Sequence, residues 1–171
     1  MEGKIRSFLA FPFWEEIYGD HYSFKMILGG RQTFKSTYVT DLLACEATSI
    51  PGSQVCYATF SQSSQTAFSR QKLQIGTFSQ NDILKQFPRH KLGNVGEISL
   101  KNDSTIYCTT DTGKYKNVEG KSLNHCILDE AQYQMMEEAS RVVQTMMATK
   151  GHLTIVGIGG EADLPMRTFG K

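Results

Sequence analysis

The sequence has little of what marks an extracellular, membrane-spanning or zinc-binding protein. Its 171 residues include four cysteines, none spaced as C-x-x-C, which predicts small buried side chains in a reducing compartment and argues against a zinc site. No apolar run is long enough to cross a bilayer, and the first residues lack a signal-peptide core and cleavage site. A net charge of +1 argues against a strongly basic nucleic-acid binder, although a local basic patch is compatible with it.

The remaining composition is that of a globular protein. Apolar residues make up 40% and charged residues 20% of the chain, which is long enough to bury one ordinary core. No internal repeat or low-complexity linker divides the sequence. We therefore expect a single domain over residues 1–171 and a cytoplasmic location.

Short β-like runs alternate with longer helical ones along the chain. Strands are predicted at 23–30, 53–60, 96–100, 104–110, 125–130 and 152–160, and helices at 36–47, 64–75 and 133–150. The runs at 96–100 and 104–110 flank a short turn and predict a hairpin. Alternation of this kind predicts an α/β fold with a mainly parallel sheet covered by helices on both faces. In such sheets, ligands bind at the carboxyl ends of the strands.

One of these strand ends carries the segment GGRQTFKST, residues 29–37. It follows the phosphate-binding pattern G-x-x-x-x-G-K-[ST], except that Phe34 stands where the second glycine is usual. A glycine turn that leads into a helix offers backbone N–H groups and a favourable helix dipole to phosphate. Lys35 would then contact the β- and γ-phosphates, and the Ser36 hydroxyl would bind Mg²⁺. The alternative is an ordinary strand-to-helix turn with a solvated lysine.

For Phe34 itself we expect a negative φ with the ring turned away, so that its N–H still reaches phosphate. The nucleotide-binding residues of this loop are thus predicted to be Gly29, Gly30, Gln32, Thr33, Phe34, Lys35, Ser36 and Thr37.

A second strand end carries CILDEAQ, in which two acids follow a buried strand. Asp129 is placed to hold Mg²⁺ through water, and Glu130 to polarise an attacking water as a general base. Taken alone, such a pair is also typical of a helix amino terminus.

Phosphoryl transfer needs positive charge on its transition state as well. Arg31 inside the loop is a candidate in cis, and Arg70, Arg89 and Arg141 are alternatives, one of which would act across a subunit interface.

These segments resemble the ATPase domain of viral large terminases. In that family an Arg-Gln pair is typical of the phosphate loop, as at Arg31 and Gln32, and a Gly-x-Ser segment leads into the acidic strand, as at Gly120 and Ser122. Glu119 departs from the family's usual arginine, and FPFWEE at 11–16 lacks the usual adenine-contacting glutamine. Residues 154–163 resemble the family's coupling motif.

The resemblance implies a P-loop ATPase of the additional-strand, catalytic-glutamate type. Its implied ligands are ATP and Mg²⁺, and its implied role is the packaging of double-stranded viral DNA into procapsids. It further implies a homo-oligomeric ring, a portal protein and a small terminase subunit as partners, and a location in the host cytoplasm. The family's nuclease domain has no counterpart in this sequence, so we expect a truncated chain without nuclease activity.

Two other interpretations remain open from the sequence. DEAQ also resembles superfamily 2 helicase boxes, which would make the chain part of a translocase. Alternatively, Phe34 and the missing glutamine would suit a nucleotide-binding module that no longer hydrolyses ATP.

Overall fold

The centre of the fold is a six-stranded, mainly parallel sheet. A computed structural model describes residues 12–134, 136–147 and 149–158. Its strands are β1 (Phe24–Leu28), β2 (Gln54–Thr59), β3 (Glu97–Ser99), β4 (Thr105–Thr110), β5 (His125–Leu128) and β6 (His152–Gly157). Their spatial order is β1-β6-β5-β2-β4-β3, and only the β3–β4 pair is antiparallel. The predicted hairpin and the mainly parallel sheet are both confirmed.

The helices connect these strands. They are α1 (Phe13–Gly19), α2 (Lys35–Ser49), α3 (Gln62–Thr66) and α4 (Met136–Met147), with a π-helix over Ala67–Ser79 that continues α3. Short 3₁₀ turns cover Leu84–Gln86 and Ala131–Tyr133. The predicted helix at 64–75 is therefore helical, but most of it has π rather than α geometry. None of the described helices has the length and apolarity needed to span a membrane.

Two hydrophobic clusters form the core. One contains Tyr57, Phe68 and the buried residues of α2, and the other contains Leu128, Ile155 and the buried face of α4. The predicted apolar face of α4 is confirmed for Ala139, Val142, Met146 and the half-buried Val143. The side chains of Met135, Met136 and Met147 lie outside the described part, as do Phe11 and the coupling-motif residues after Ile158.

A buried polar contact ties three elements at the amino edge of the sheet. His125 opens β5 and is almost fully buried. Its Nδ1 donates to the Glu46 carboxylate near the end of α2, at 2.9 and 2.8 Å from the two oxygens. Its Nε2 lies 2.8 Å from the Thr154 hydroxyl on β6. A buried imidazole without hydrogen-bond partners would lower the stability of the fold, so these hydrogen bonds hold α2, β5 and β6 together at that edge.

Candidate functional site

The loop between β1 and α2 lies at the carboxyl edge of the sheet, as the sequence predicts. Gly29 continues the sheet, because its N–H donates to the Gly157 carbonyl at 3.2 Å. A Cβ added at Gly29 would lie 3.1 Å from Thr33 Oγ1 and 3.8 Å from Lys35 Nζ. The loop therefore curls tightly enough that a larger residue at position 29 would crowd the lysine.

Lys35 folds back into this loop. Its ammonium donates to the Gly29 carbonyl at 2.9 Å, to the Gly30 carbonyl, and to Thr33 Oγ1 at 3.3 Å. Partial burial lowers the Lys35 pKa, and the charge of Asp129 opposes that shift. Lys35 and Asp129 are far apart in sequence, but they follow β1 and β5, two parallel strands that end at the same edge of the sheet.

The backbone conformation at Phe34 differs from the predicted one. Its φ is 61° and its ψ is 19°, so the expected negative φ is wrong. The residue is the N-cap of α2, and its carbonyl accepts from the N–H groups of Thr37 and Tyr38, both at 3.0 Å. The chain must take a left-handed conformation here to enter the helix, which explains why glycine is usual at this place in the pattern. The side chain is 55% exposed, so the ring is accommodated without entering the core.

The remaining loop residues surround the helix amino terminus. Gln32 is also left-handed, with φ of 60°. Gly30 and Arg31 are exposed, whereas Ser36 and Thr37 are half-buried in the first turn of α2. The amides of Lys35 and Ser36 precede the first helical hydrogen bonds, so they belong to the donors that a helix amino terminus presents to an anion.

Trp14 anchors the loop from the side. Its indole Nε1 donates to the Thr33 carbonyl at 2.8 Å, and its ring stacks on Tyr38 with centroids 5.1 Å apart. The tryptophan is 4% exposed. The buried indole N–H of α1 thus holds the centre of the segment 29–37.

The two acids occupy a turn directly after β5. Asp129 is 9% exposed and accepts from the Tyr57 hydroxyl at 3.0 Å through Oδ2 and from the Glu130 N–H at 2.9 Å through Oδ1. Burial raises the pKa of Asp129, and the Glu130 charge adds to this, while the Tyr57 hydrogen bond opposes it. Glu130 is left-handed at φ 52° and ψ 38°, and its Oε2 accepts from Thr59 Oγ1 at 3.3 Å.

The donor set fits a nucleotide with Mg²⁺. Mg²⁺ prefers oxygen ligands and usually keeps only one or two protein carboxylates, with phosphates and waters completing its shell. Asp129 and the Ser36 hydroxyl offer oxygen atoms of this kind. Within residues 12–134, 136–147 and 149–158 no group of three or more His, Cys, Asp or Glu residues forms a metal cage. Glycine at the tight turn and a half-buried ammonium against loop carbonyls suit a phosphate.

Sequence reasoning missed three residues that shape this site. Trp14 holds the loop, and Tyr57 and Thr59 on β2 hold the two acids. The alternation of β2 places Tyr57 and Thr59 on the same face of the sheet. Only the strand order shows that β2 is adjacent to β5, the strand that leads into the acids. Arg70 and Arg89 are exposed, and Arg89 pairs with Asp103 in the β3–β4 turn.

The strand order defines the class of fold. One strand, β6, lies between the strand that leads into the glycine loop and the strand that leads into the acids. With the loop and acids at the carboxyl edge, this is the P-loop NTPase fold with the predicted additional strand.

Solved structures with a similar fold include phage large terminases. No protein-family profile matches the chain, and no curated protein matches it. The Thermus phage P74-26 large terminase ATPase domain is similar over 91% of this chain and 67% of its own, with a TM-score of 0.76 and 16% identity. The HK97 bacteriophage large terminase aligns over 85% of this chain and 31% of its own, with a TM-score of 0.70 and 15% identity.

A third similar structure holds a nucleotide. The large terminase of a thermophilic bacteriophage in complex with ADP aligns over 78% of this chain and 33% of its own, with a TM-score of 0.59 and 10% identity. The chain thus has the fold of a large terminase ATPase domain, and it spans between about a third and two thirds of these structures.

Proposed function

We propose that this chain is the ATPase motor domain of a viral terminase large subunit, which hydrolyses ATP to drive double-stranded DNA into procapsids. The observation that carries the proposal is that the glycine loop after β1 and the buried acids after β5 lie at the same carboxyl edge of the sheet, with β6 between the two strands, in the fold of terminase ATPase domains. The ADP complex of a similar terminase supports nucleotide binding at this kind of site.

The residues would divide the work as follows. Lys35 and the loop amides bind the phosphates, and Ser36 and Asp129 hold Mg²⁺, which when bound neutralises phosphate charge. Glu130 accepts a proton from the attacking water, and Arg31 stabilises negative charge that develops on the transferred phosphoryl group. Lys35 must give up its carbonyl contacts to reach a phosphate, so the loop and the lysine would change together on binding.

The wider assignments belong to the same proposal. Packaging implies contact with double-stranded DNA, a portal protein and a small terminase subunit, assembly of several copies into a ring, and work in the host cytoplasm. They rest on the resemblance of residues 29–37 and 117–132 to terminases and on the shared fold.

The direct test is Mg²⁺-dependent phosphate release by the purified chain. We expect Lys35→Ala to abolish ATP binding, and Glu130→Gln to bind ATP while losing at least about a hundredfold in kcat. The protein's single tryptophan, Trp14, bonds the loop, so its fluorescence reports binding separately from turnover. Lys101→Ala, in the exposed β3–β4 turn at the opposite edge, is the matched control.

The outcomes separate the alternatives. Absence of ATP binding by the wild type would overturn the proposal. Binding without Glu130-dependent hydrolysis would identify a nucleotide-binding module instead. Strand displacement on a forked duplex would favour a helicase-type translocase over a packaging motor.

A further inference from the structure

We infer that Gln134 is a positioning residue, whose side-chain amide fixes the peptide between Asp129 and Glu130 and is itself fixed by Tyr115. The inference rests on the proposed hydrolysis at Glu130 and adds two residues outside both sequence motifs. Neither residue belongs to the glycine loop, and Gln134 contacts the acidic turn directly, so we expect any effect on hydrolysis to pass through that turn.

The contacts of Gln134 are short and all buried. The residue is 2% exposed, and its Nε2 donates to the Asp129 carbonyl at 2.6 Å and to the Ala58 carbonyl at 3.3 Å. Its Oε1 accepts from the Tyr115 hydroxyl at 2.5 Å. Carbonyl oxygens only accept hydrogen bonds, so the end of the amide that faces the two carbonyls must be the NH₂ group. The oxygen then faces the Tyr115 hydroxyl.

This amide extends the sheet beyond its last backbone pair. The pairing of β2 with β5 ends at Ala58 and Leu128, and the Asp129 N–H then donates to the Ala58 carbonyl at 2.8 Å. The Asp129 carbonyl lies one step past the ladder, where a buried acceptor without a donor would cost about 1–3 kcal/mol. Gln134 supplies that donor and joins the ends of both strands.

The same peptide sets the direction of Glu130. A left-handed conformation at a glutamate costs about 1–2 kcal/mol and persists where surrounding contacts enforce it. The turn is held on one side by the Glu130 N–H to Asp129 Oδ1 and on the other by Gln134 at the Asp129 carbonyl. Without Gln134 the carbonyl end of this peptide loses its tether, so the peptide plane can tilt and shift the Glu130 side chain.

Tyr115 makes this arrangement specific. It is 2% exposed and left-handed, with φ of 52°, and its hydroxyl is the buried donor to Gln134 Oε1. Loss of the hydroxyl would leave Oε1 without this buried donor and allow the amide to turn over. We therefore expect the two residues to act as one unit.

The test compares two buried glutamines of similar environment. Gln134→Met keeps the length of the side chain and removes the amide. Gln74→Met is the control, because Gln74 is 4% exposed and its amide donates to the Asn94 carbonyl at 2.7 Å and to Ser69, neither of which belongs to the acidic turn. We expect Gln134→Met to lower kcat about tenfold or more while ATP affinity stays within about twofold, since displacement of a reacting group by about 1 Å costs that much or more. Gln74→Met should lower the melting temperature without this loss of kcat.

A double-mutant cycle asks whether the effect passes through Glu130. In a Glu130→Gln background, we expect Gln134→Met to cause no further loss of residual hydrolysis, because residues that act as a unit are strongly non-additive. Full additivity would mean that Gln134 acts elsewhere, and the inference would be wrong. Tyr115→Phe should reproduce the loss of kcat in part.

Amide hydrogen exchange provides a readout that does not need turnover. We expect the Glu130 amide to exchange at least about tenfold faster in Gln134→Met than in the wild type or in Gln74→Met, because the turn loses a tether. Unchanged exchange together with unchanged kcat would overturn the inference. If the wild type hydrolyses no ATP, the proposed function fails, whereas the exchange experiment still decides whether Gln134 holds the turn.

Discussion

The glycine loop and the acidic turn meet at one site but are held in different ways. The loop is shaped by its backbone, with left-handed Gln32 and Phe34 largely exposed and one anchor from Trp14. The acidic turn is nine-tenths buried at Asp129 and is held by side chains from β2 and by Gln134. Substitutions are therefore expected to be tolerated in the loop wherever the backbone can adopt the required angles. In the turn, the loss of a single hydrogen bond is expected to matter.

The strongest test of this comparison removes a support of the turn. Tyr57 is 2% exposed, stacks on Phe68 with ring centroids 3.7 Å apart, and donates to Asp129. We expect Tyr57→Ala to destabilise the fold by about 3–5 kcal/mol, the usual cost of truncating a buried aromatic residue. Tyr57→Phe should cost only about 1 kcal/mol, for the lost hydrogen bond. Urea unfolding of the three proteins measures both, and equal costs would show that stacking contributes nothing.

Asp129→Asn should act in the opposite direction. Because burial raises the pKa of Asp129 above its ordinary value of 3.8, the folded state favours the neutral carboxyl, and the charged form lowers stability at neutral pH. We expect Asn at this position to stabilise the nucleotide-free protein by about 1 kcal/mol, while Mg²⁺-dependent turnover is lost. The gain should be present at neutral pH, shrink as the pH falls through the raised pKa of Asp129, and be absent below 3.8. Thermal unfolding across that pH range is the measurement, and a gain that grows on acidification would contradict the expectation.

The smallest effect is expected at Phe34. Phe34→Gly removes a left-handed backbone cost of about 1–2 kcal/mol but adds chain entropy in the unfolded state, so the net change in stability should stay below about 1 kcal/mol. ATP affinity should change by less than about tenfold, or ~1.4 kcal/mol. Phe34→Ile is the informative partner, because a β-branched residue is poorly suited to this conformation and should be the least stable of the three. A much larger gain in affinity for the glycine variant would show that the ring obstructs the site.

Most of the fold follows from local patterns. Apolar runs that stop at glycines or acids located β1, β5 and β6, and helical periodicity located α2 and α4, because burial imposes both patterns on the sequence. The placement of the glycine loop and the acids at one edge was predictable for a related reason, since parallel strands bring their carboxyl ends together. The left-handed angle at Phe34 was missed because a phenylalanine carries no local signal for it.

The supports of the site could not be found in the same way. Tyr57 contacts Asp129 across 72 positions of sequence, and only the adjacency of β2 and β5 brings them together. Gln134 is close in sequence to Asp129, but its orientation depends on a hydrogen bond from Tyr115. Tyr115 lies in the loop after β4, where Lys114 and Tyr115 itself are left-handed. Such contacts depend on tertiary packing, which no periodicity encodes.

The His125 contact at the amino edge has a mechanical consequence. It joins the end of α2 to the first residues of β5 and β6, while the loop and the acids lie at the other ends of the same elements. A nucleotide that draws the two sides together is therefore expected to swing α2 about a fixed pivot rather than translate it. From Glu46 to Lys35 the helix rises by about 16 Å, so a rotation of about 4° displaces the Lys35 end by about an ångström.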